Sequence, residues 1–301
     1  MTLASASQHD RMVRSSWLLF AAMSLIWGIP YLFIKIAVEE LSPAAVAGSR
    51  TLLAALVLLP LAAHQGVLRP AARAWRWVAA FGLLEMAGPW LLLGHAETRV
   101  SSGFAGLMIA TVPIVGVLVA RLRGDPHAFA RTRLLGLGTG VLGVVCLVGL
   151  DSLAGHLDLL SIVELLLVAV GYAVAPVIAS TRLADVPSLG VIALSVTGVG
   201  LLFLPWTVAD YASGLPAADV IVSVLVLGLA CTALAFVLFF RLIAQVGPVR
   251  ATVITFLNPA VAVALGIIVL GEPLTAGILV GFPLVLLGAY WATRPLPASA
   301  H

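Results

Sequence analysis

The stretch SLIWGIPYLFIKIAVEELSPAAVAGSRTLLAALVLLP, Ser24 to Pro60, consists of two continuously apolar runs separated by one short polar turn. Neither run alternates polar and apolar residues as a half-buried strand would. With its flanking residues, each approaches the roughly 20 residues a helix needs to cross a bilayer core of about 30 Å. Helices satisfy their own backbone hydrogen bonds and are the spanning structure such runs fit; a membrane barrel would show short alternating segments.

The pattern recurs along the whole chain. Apolar runs at about 17–37, 44–64, 75–97, 101–121, 134–150, 159–180, 187–208, 219–243, 248–270 and 277–294 predict ten transmembrane helices. Of the 301 residues, 62% are apolar and 10% are charged, against about 25% charged in a soluble domain. The solvent for most of the chain is therefore lipid. The longest polar connections, His64–Arg76 and Arg121–Arg133, are too short to form a catalytic domain. Residues 1–16 lack an apolar core and the run after them is long enough to span, so a retained first helix is expected rather than a cleaved signal. Cys146 and Cys231 both fall inside spans, which leaves no disulfide framework or metal-binding spacing, and no cofactor is expected.

Thirteen of the sixteen basic residues fall on one side of this topology, including Arg11, Arg14, Arg69, Arg73, Arg76, Arg121, Arg123, Arg131 and Arg133. That asymmetry explains the net charge of +3 without a nucleic-acid partner. By the positive-inside rule both termini are cytoplasmic, which requires an even number of spans. The opposite connections carry Glu39, Glu40, Asp151, Asp158, Asp210, Asp219 and Glu272, with Lys35 and Arg99 as the basic residues there.

The two halves echo one another at an offset of about 145 residues. SPAAVAGSRTLLAALVLLP, ending at Pro60, pairs with PSLGVIALSVTGVGLLFLP, ending at Pro205; Pro113 pairs with Pro259, and Gly124-Asp125-Pro126 with Gly271-Glu272-Pro273. Five spans per half force the second copy to enter the membrane inverted. The expected organisation is a cytoplasmic tail 1–16, a five-helix repeat 17–150, an inverted repeat 159–294 and a cytoplasmic tail 295–301. Inverted repeats around a midplane cavity are a construction principle of secondary transporters.

Trp27-Gly28, Lys35, Leu41-Ser42-Pro43 and Arg50 follow one another in Ser24–Pro60, and Val246–Tyr290 carries the Asn-Pro and Gly-Glu-Pro segments. In these stretches, and over nearly its whole length, the chain resembles the drug/metabolite transporter superfamily in its ten-helix type with two EamA domains. It departs from that pattern at Gly124-Asp125, where the family usually has Gly-Glu. The resemblance implies a membrane carrier, typically an exporter of amino acids or related metabolites, with a small-molecule substrate.

Charges retained at hydrocarbon depth usually face the bundle interior and mark a pathway. Arg50 lies about six residues into the second span, on the order of 9 Å below its boundary. It either snorkels or holds a substrate carboxylate in a bidentate fork. Glu85 is near the middle of the third span, where a bare carboxylate must be protonated, paired or wet. It is the candidate for a proton-coupled or substrate-amine contact, or else a structural hydrogen-bond donor. Glu164, at a depth like that of Arg50, either pairs with it or begins its helix as a surface carboxylate.

Trp27, Tyr31, Trp90, Tyr172 and Asn258 sit where they would line a cavity for a planar or amphipathic substrate, with helix packing as the alternative. Pro30, Pro113, Pro176, Pro259 and Pro283 fall inside predicted spans and are candidate hinges. Gly138–Gly143 fits a dinucleotide-binding glycine pattern but sits in an apolar span with no preceding strand. Gly136 and Gly140 instead form a GxxxG face, for contact within the bundle or in a homodimer. No hydrolase elbow, HExxH site or Walker A loop is present, so an intramembrane enzyme or ATP-driven pump is disfavoured. The sequence thus points to a secondary transporter, not an enzyme, exporting amino acids or similar small metabolites by alternating access across the cytoplasmic (inner) membrane. A passive channel or multidrug efflux carrier is the alternative.

Overall fold

The computed structural model describes residues 18–124, 130–153, 158–246 and 257–293, and all regular elements among them are helical. In chain order the main helical runs are α1 Leu18–Ala37, α2 Pro43–His64, α3 Trp75–Glu97, α4 Ser102–Leu122, α5 Arg131–Leu153, α6 Leu159–Arg182, α7 Ser188–Ala212, α8 Ala218–Leu242, α9 Asn258–Leu270 and α10 Ala276–Thr293. Seven of them, α1–α4 and α6–α8, are long and apolar enough to cross a membrane, and α9 and α10 are shorter apolar helices. The helix ends fall within a few residues of the apolar runs. The first part of the ninth run, the tails and Asp125 lie outside the described residues.

Local chemistry sets the helix starts. Ser42 is extended at φ −61°, and its hydroxyl accepts from the amide of Ala45 at 3.2 Å, while Pro43 occupies the first turn where no amide partner is needed. Ser101 caps α4 in the same way through the amide of Phe104 at 3.1 Å. At the other end of α9, Gly271 takes φ +66°, a left-handed stop that disfavours any residue with a Cβ. Large apolar side chains point outward along the helices, as with Leu56 at 72% and Ile268 at 78% exposure. Such a surface belongs in hydrocarbon.

The helix contacts respect an exchange of the two halves. The main pairings are α2 with α7, α5 with α10, and α4 with α9, while α3 packs on α6 as α8 packs on α1. Swapping α1–α5 for α6–α10 returns the same set. Both α3 and α8 also contain a π-helical segment at corresponding places, Leu83–Ala87 and Val226–Leu234.

The α5–α10 contact decides the role of the small-residue face. A Cβ on Gly288 would stand 2.4 Å from the amide nitrogen of Gly140 and 2.7 Å from the carbonyl oxygen of Gly136. Of the two readings of this face, the structure takes contact within the bundle: α10 of the same chain fills it. Pro30 and Pro113 open the second segments of α1 and α4, Pro30–Ala37 and Val112–Leu122, and Pro259 lies in the first turn of α9, positions where a proline costs no hydrogen bond. Pro176 and Pro283 do lie inside helices.

Candidate substrate site

Arg50 is on the face of α2 turned into the bundle and is only 5% exposed, so it does not snorkel to the surface. Its guanidinium carbon lies 3.7 Å from the ring centroid of Trp90 on α3, and its Nε donates to Thr232 Oγ1 on α8 at 2.8 Å. Among the described residues no carboxylate forms an ion pair with it. Tyr31, Tyr172 and Cys231 contribute the phenol and thiol groups that share its electrostatic surroundings. A cation is thus held by a ring face and one hydroxyl, with the broad Nη side of its fork left for another partner.

The two π segments place these groups. Thr232 donates its hydroxyl proton to the carbonyl of Leu227, five residues back, at 2.8 Å. The five-residue register of the π segment brings that carbonyl to Thr232, and with its proton so committed the Thr232 oxygen accepts from Arg50. In α3 the π segment carries Glu85, with Trp90 one turn beyond it. Glu85 is half-buried, its Oε2 has no hydrogen-bond partner, and its charge acts on the Tyr172 hydroxyl, as does that of Arg50.

The sequence-selected residues divide into two groups. Tyr31, Arg50, Glu85, Trp90 and Tyr172 gather about one region between the halves. Trp27 is engaged elsewhere, its ring 4.6 Å from Phe239 and 6.1 Å from Phe236 on α8. Asn258 opens α9 and is half-buried. Thr232 and Cys231 were not legible as site residues, because small polar groups in an apolar helix carry no depth signal and the π segment alters which face they join.

Glu164 corrects an expectation. It does not pair with Arg50; Oε1 meets His95 Nδ1 at 2.5 Å and Oε2 meets Arg99 Nη2 at 2.6 Å. Arg99 also bonds Asp158 at 2.6 Å, so the end of α3 is tied to the start of α6. Asp158 caps α6 by accepting from the amide of Ser161 at 3.1 Å and from its hydroxyl. The Ser161 hydroxyl and then Arg99 hold the Asp158 carboxyl below the usual carboxylate range. Further ties between the halves lie at this same end: the Ser42 amide donates to Asp210 at 2.7 Å and the Ala217 amide to Glu40 at 2.9 Å.

The two exchange-related helical halves have counterparts among known proteins. Residues 14–149 and again 159–294 match the EamA-like transporter family. The chain belongs to the EamA-like transporter family. It is 30% identical over 290 residues to the uncharacterized inner membrane transporter YedA of Escherichia coli K12, covering 92% of both chains. It is also 26% identical over 276 residues to the uncharacterized transporter YvbV of Bacillus subtilis, covering 89% of this chain and 88% of that one. A solved crystal structure at 21% identity aligns over 93% of this chain with a TM-score of 0.64 and shares the fold. As an EamA-like protein the chain is a multi-pass membrane transporter homologous to inner membrane proteins, and not an enzyme.

Proposed function

We propose that this transporter is a secondary carrier that exports amino acids or similar small metabolites by alternating access, and that Arg50 receives the substrate carboxylate. The observation that carries the reading is the buried Arg50 guanidinium with no ion-pair partner among the described residues. A cation removed from water without an anion is costly. A substrate carboxylate docking bidentately on the Nη side would supply the missing charge.

Glu85 supplies the complementary group. Its Oε2 has no hydrogen-bond partner and its charge acts on Tyr172, so a substrate ammonium between Tyr172 and Glu85 would complete a zwitterion site with Arg50. Trp90 and Tyr31 form its aromatic walls. In this reading the chain crosses the membrane ten times as two inverted five-helix repeats, 17–150 and 159–294, with both termini cytoplasmic. The arginine asymmetry and the exchange-related helix pairings support that topology. The bundle is tied at its carboxylate-rich end by Glu164, Asp210 and Glu40, and the proline-bearing breaks at Pro30 and Pro113, with Pro176, Pro259 and Pro283, are the hinges on which that end opens.

Counterflow in proteoliposomes tests the function. A carrier loaded with an unlabelled amino acid accumulates the labelled one transiently above equilibrium. Simple equilibration would identify a channel, and accumulation of planar cations alone a multidrug carrier.

A further inference from the structure

We infer that Glu97 is a proton-binding site of this protein, a buried carboxyl that exchanges its proton as the carboxylate-rich end of the bundle opens. Only the use of that proton in transport rests on the carrier reading; the site stands on its own geometry. Glu97 is the last residue of α3, is fully buried, and has no hydrogen-bond partner for either carboxyl oxygen. At the same end of the bundle Glu40, Asp158, Glu164, Asp210 and Glu272 are all engaged in hydrogen bonds or ion pairs, and Glu39 is exposed.

Three titratable groups face it from the surrounding elements. Lys35 on α1 lies in its field, but the ammonium donates to the main-chain carbonyls of Glu97 at 2.5 Å and Val100 at 2.8 Å, and makes no ion pair with the carboxylate. Glu272, between α9 and α10, is a like charge already saturated at the start of α4. It accepts from the amides of Ser102 at 2.6 Å and Gly103 at 3.0 Å, and from the Ser102 hydroxyl at 3.0 Å. Tyr31 on α1 is the third. On Glu97's own helix His95, and just beyond its end Arg99, are turned to Glu164 and Asp158.

An ionised carboxylate with both oxygens bare in a dry core is strongly disfavoured, whereas the neutral carboxyl is tolerated. A hard metal cation is a poor substitute, since it needs a shell of oxygen ligands and the Lys35 ammonium already brings positive charge. Proton uptake forms one Oε–H bond from the aqueous side to which the site is open. Release returns the proton to water and leaves a carboxylate within the field of Lys35. The ammonium can then exchange its main-chain acceptors for that carboxylate, which frees the carbonyls at the α3–α4 turn. Proton occupancy is thereby linked to the hold on that turn.

Infrared titration of the full-length protein in liposomes reads the site directly. A protonated carboxyl stretch is expected at neutral pH, lost in Glu97→Gln and kept in Glu85→Gln. Glu97→Asp, which retains a carboxyl, should move the band, and circular dichroism checks that each variant is folded. No such band in the wild type, or a band untouched by Glu97→Gln, overturns the assignment. In transport, uptake driven by a pH gradient should fall in Glu97→Gln by an order of magnitude more than counterflow does; equal effects on both would sink the coupling role. Absence of wild-type counterflow with every amino acid tried would refute the carrier reading, while the infrared band still decides the proton site.

Discussion

Arg50 shows how a single side chain can be costly to bury and useful for that reason. Its depth was legible from the sequence, as were the rings of Trp90, Tyr31 and Tyr172 near it, because hydropathy fixes depth. Azimuth is not fixed that way, which is why Glu164 turned out to face Arg99 and His95 rather than Arg50. The burial of Glu97 was not legible, because a carboxylate at a helix end is ordinarily wet. Arg50→Ala should abolish transport of carboxylate-bearing substrates with insertion retained, and Arg50→Lys should restore it only in part, lacking the planar fork. A hydrogen bond to a charged group contributes about 1.5–3 kcal/mol, so Thr232→Val should raise the half-saturating substrate concentration by about tenfold or more. Asp158 tests a different function, the tie between α3 and α6. Its carboxyl is held low, so the stabilisation is present above the ordinary aspartate range of about 3.9 and is lost as pH falls through the lowered value. Thermal stability should therefore be flat above about pH 5 and fall on acidification, with a shallower fall in Asp158→Asn and in high salt.

Among the elements, the helices themselves were the most legible feature, since each apolar run of bilayer length is a helix by necessity. The π segments were not. Nothing in LLEMA or VLGLACTAL marks them, and they arise where α3 and α8 pack against neighbours in tertiary contact. Their consequence is geometric: one carries Glu85, the other places Thr232 against Arg50. The glycine face of α5 was legible as a close-contact surface, while its partner was not. Because a Cβ at position 288 would stand only 2.4 Å from the Gly140 amide nitrogen of α5, Gly288→Leu should separate α5 from α10. Overpacking of this kind costs typically about 1–3 kcal/mol, and size-exclusion chromatography in detergent should show loss of the monodisperse species. Substitution of outward-facing Leu56 should leave it intact.

At the scale of the whole molecule, duplication places the site between two related halves. The exchange pattern of the helix contacts is what alternating access requires, since either half can take the other's place in closing one end. Topology reporters at Pro70, Asp125 and the C-terminus should read cytoplasmic, and those at Gly155 and Gly214 external. A cytoplasmic signal at Gly155 would break the inverted arrangement. The central claim, that a buried cation awaits a substrate carboxylate, is tested most directly by counterflow of one transported amino acid against its carboxamide analogue. Wild-type protein should exchange the acid and discriminate strongly against the amide, and Arg50→Ala should lose exchange of the acid. Equal exchange of acid and amide, or unchanged exchange in well-inserted Arg50→Ala, would contradict the account.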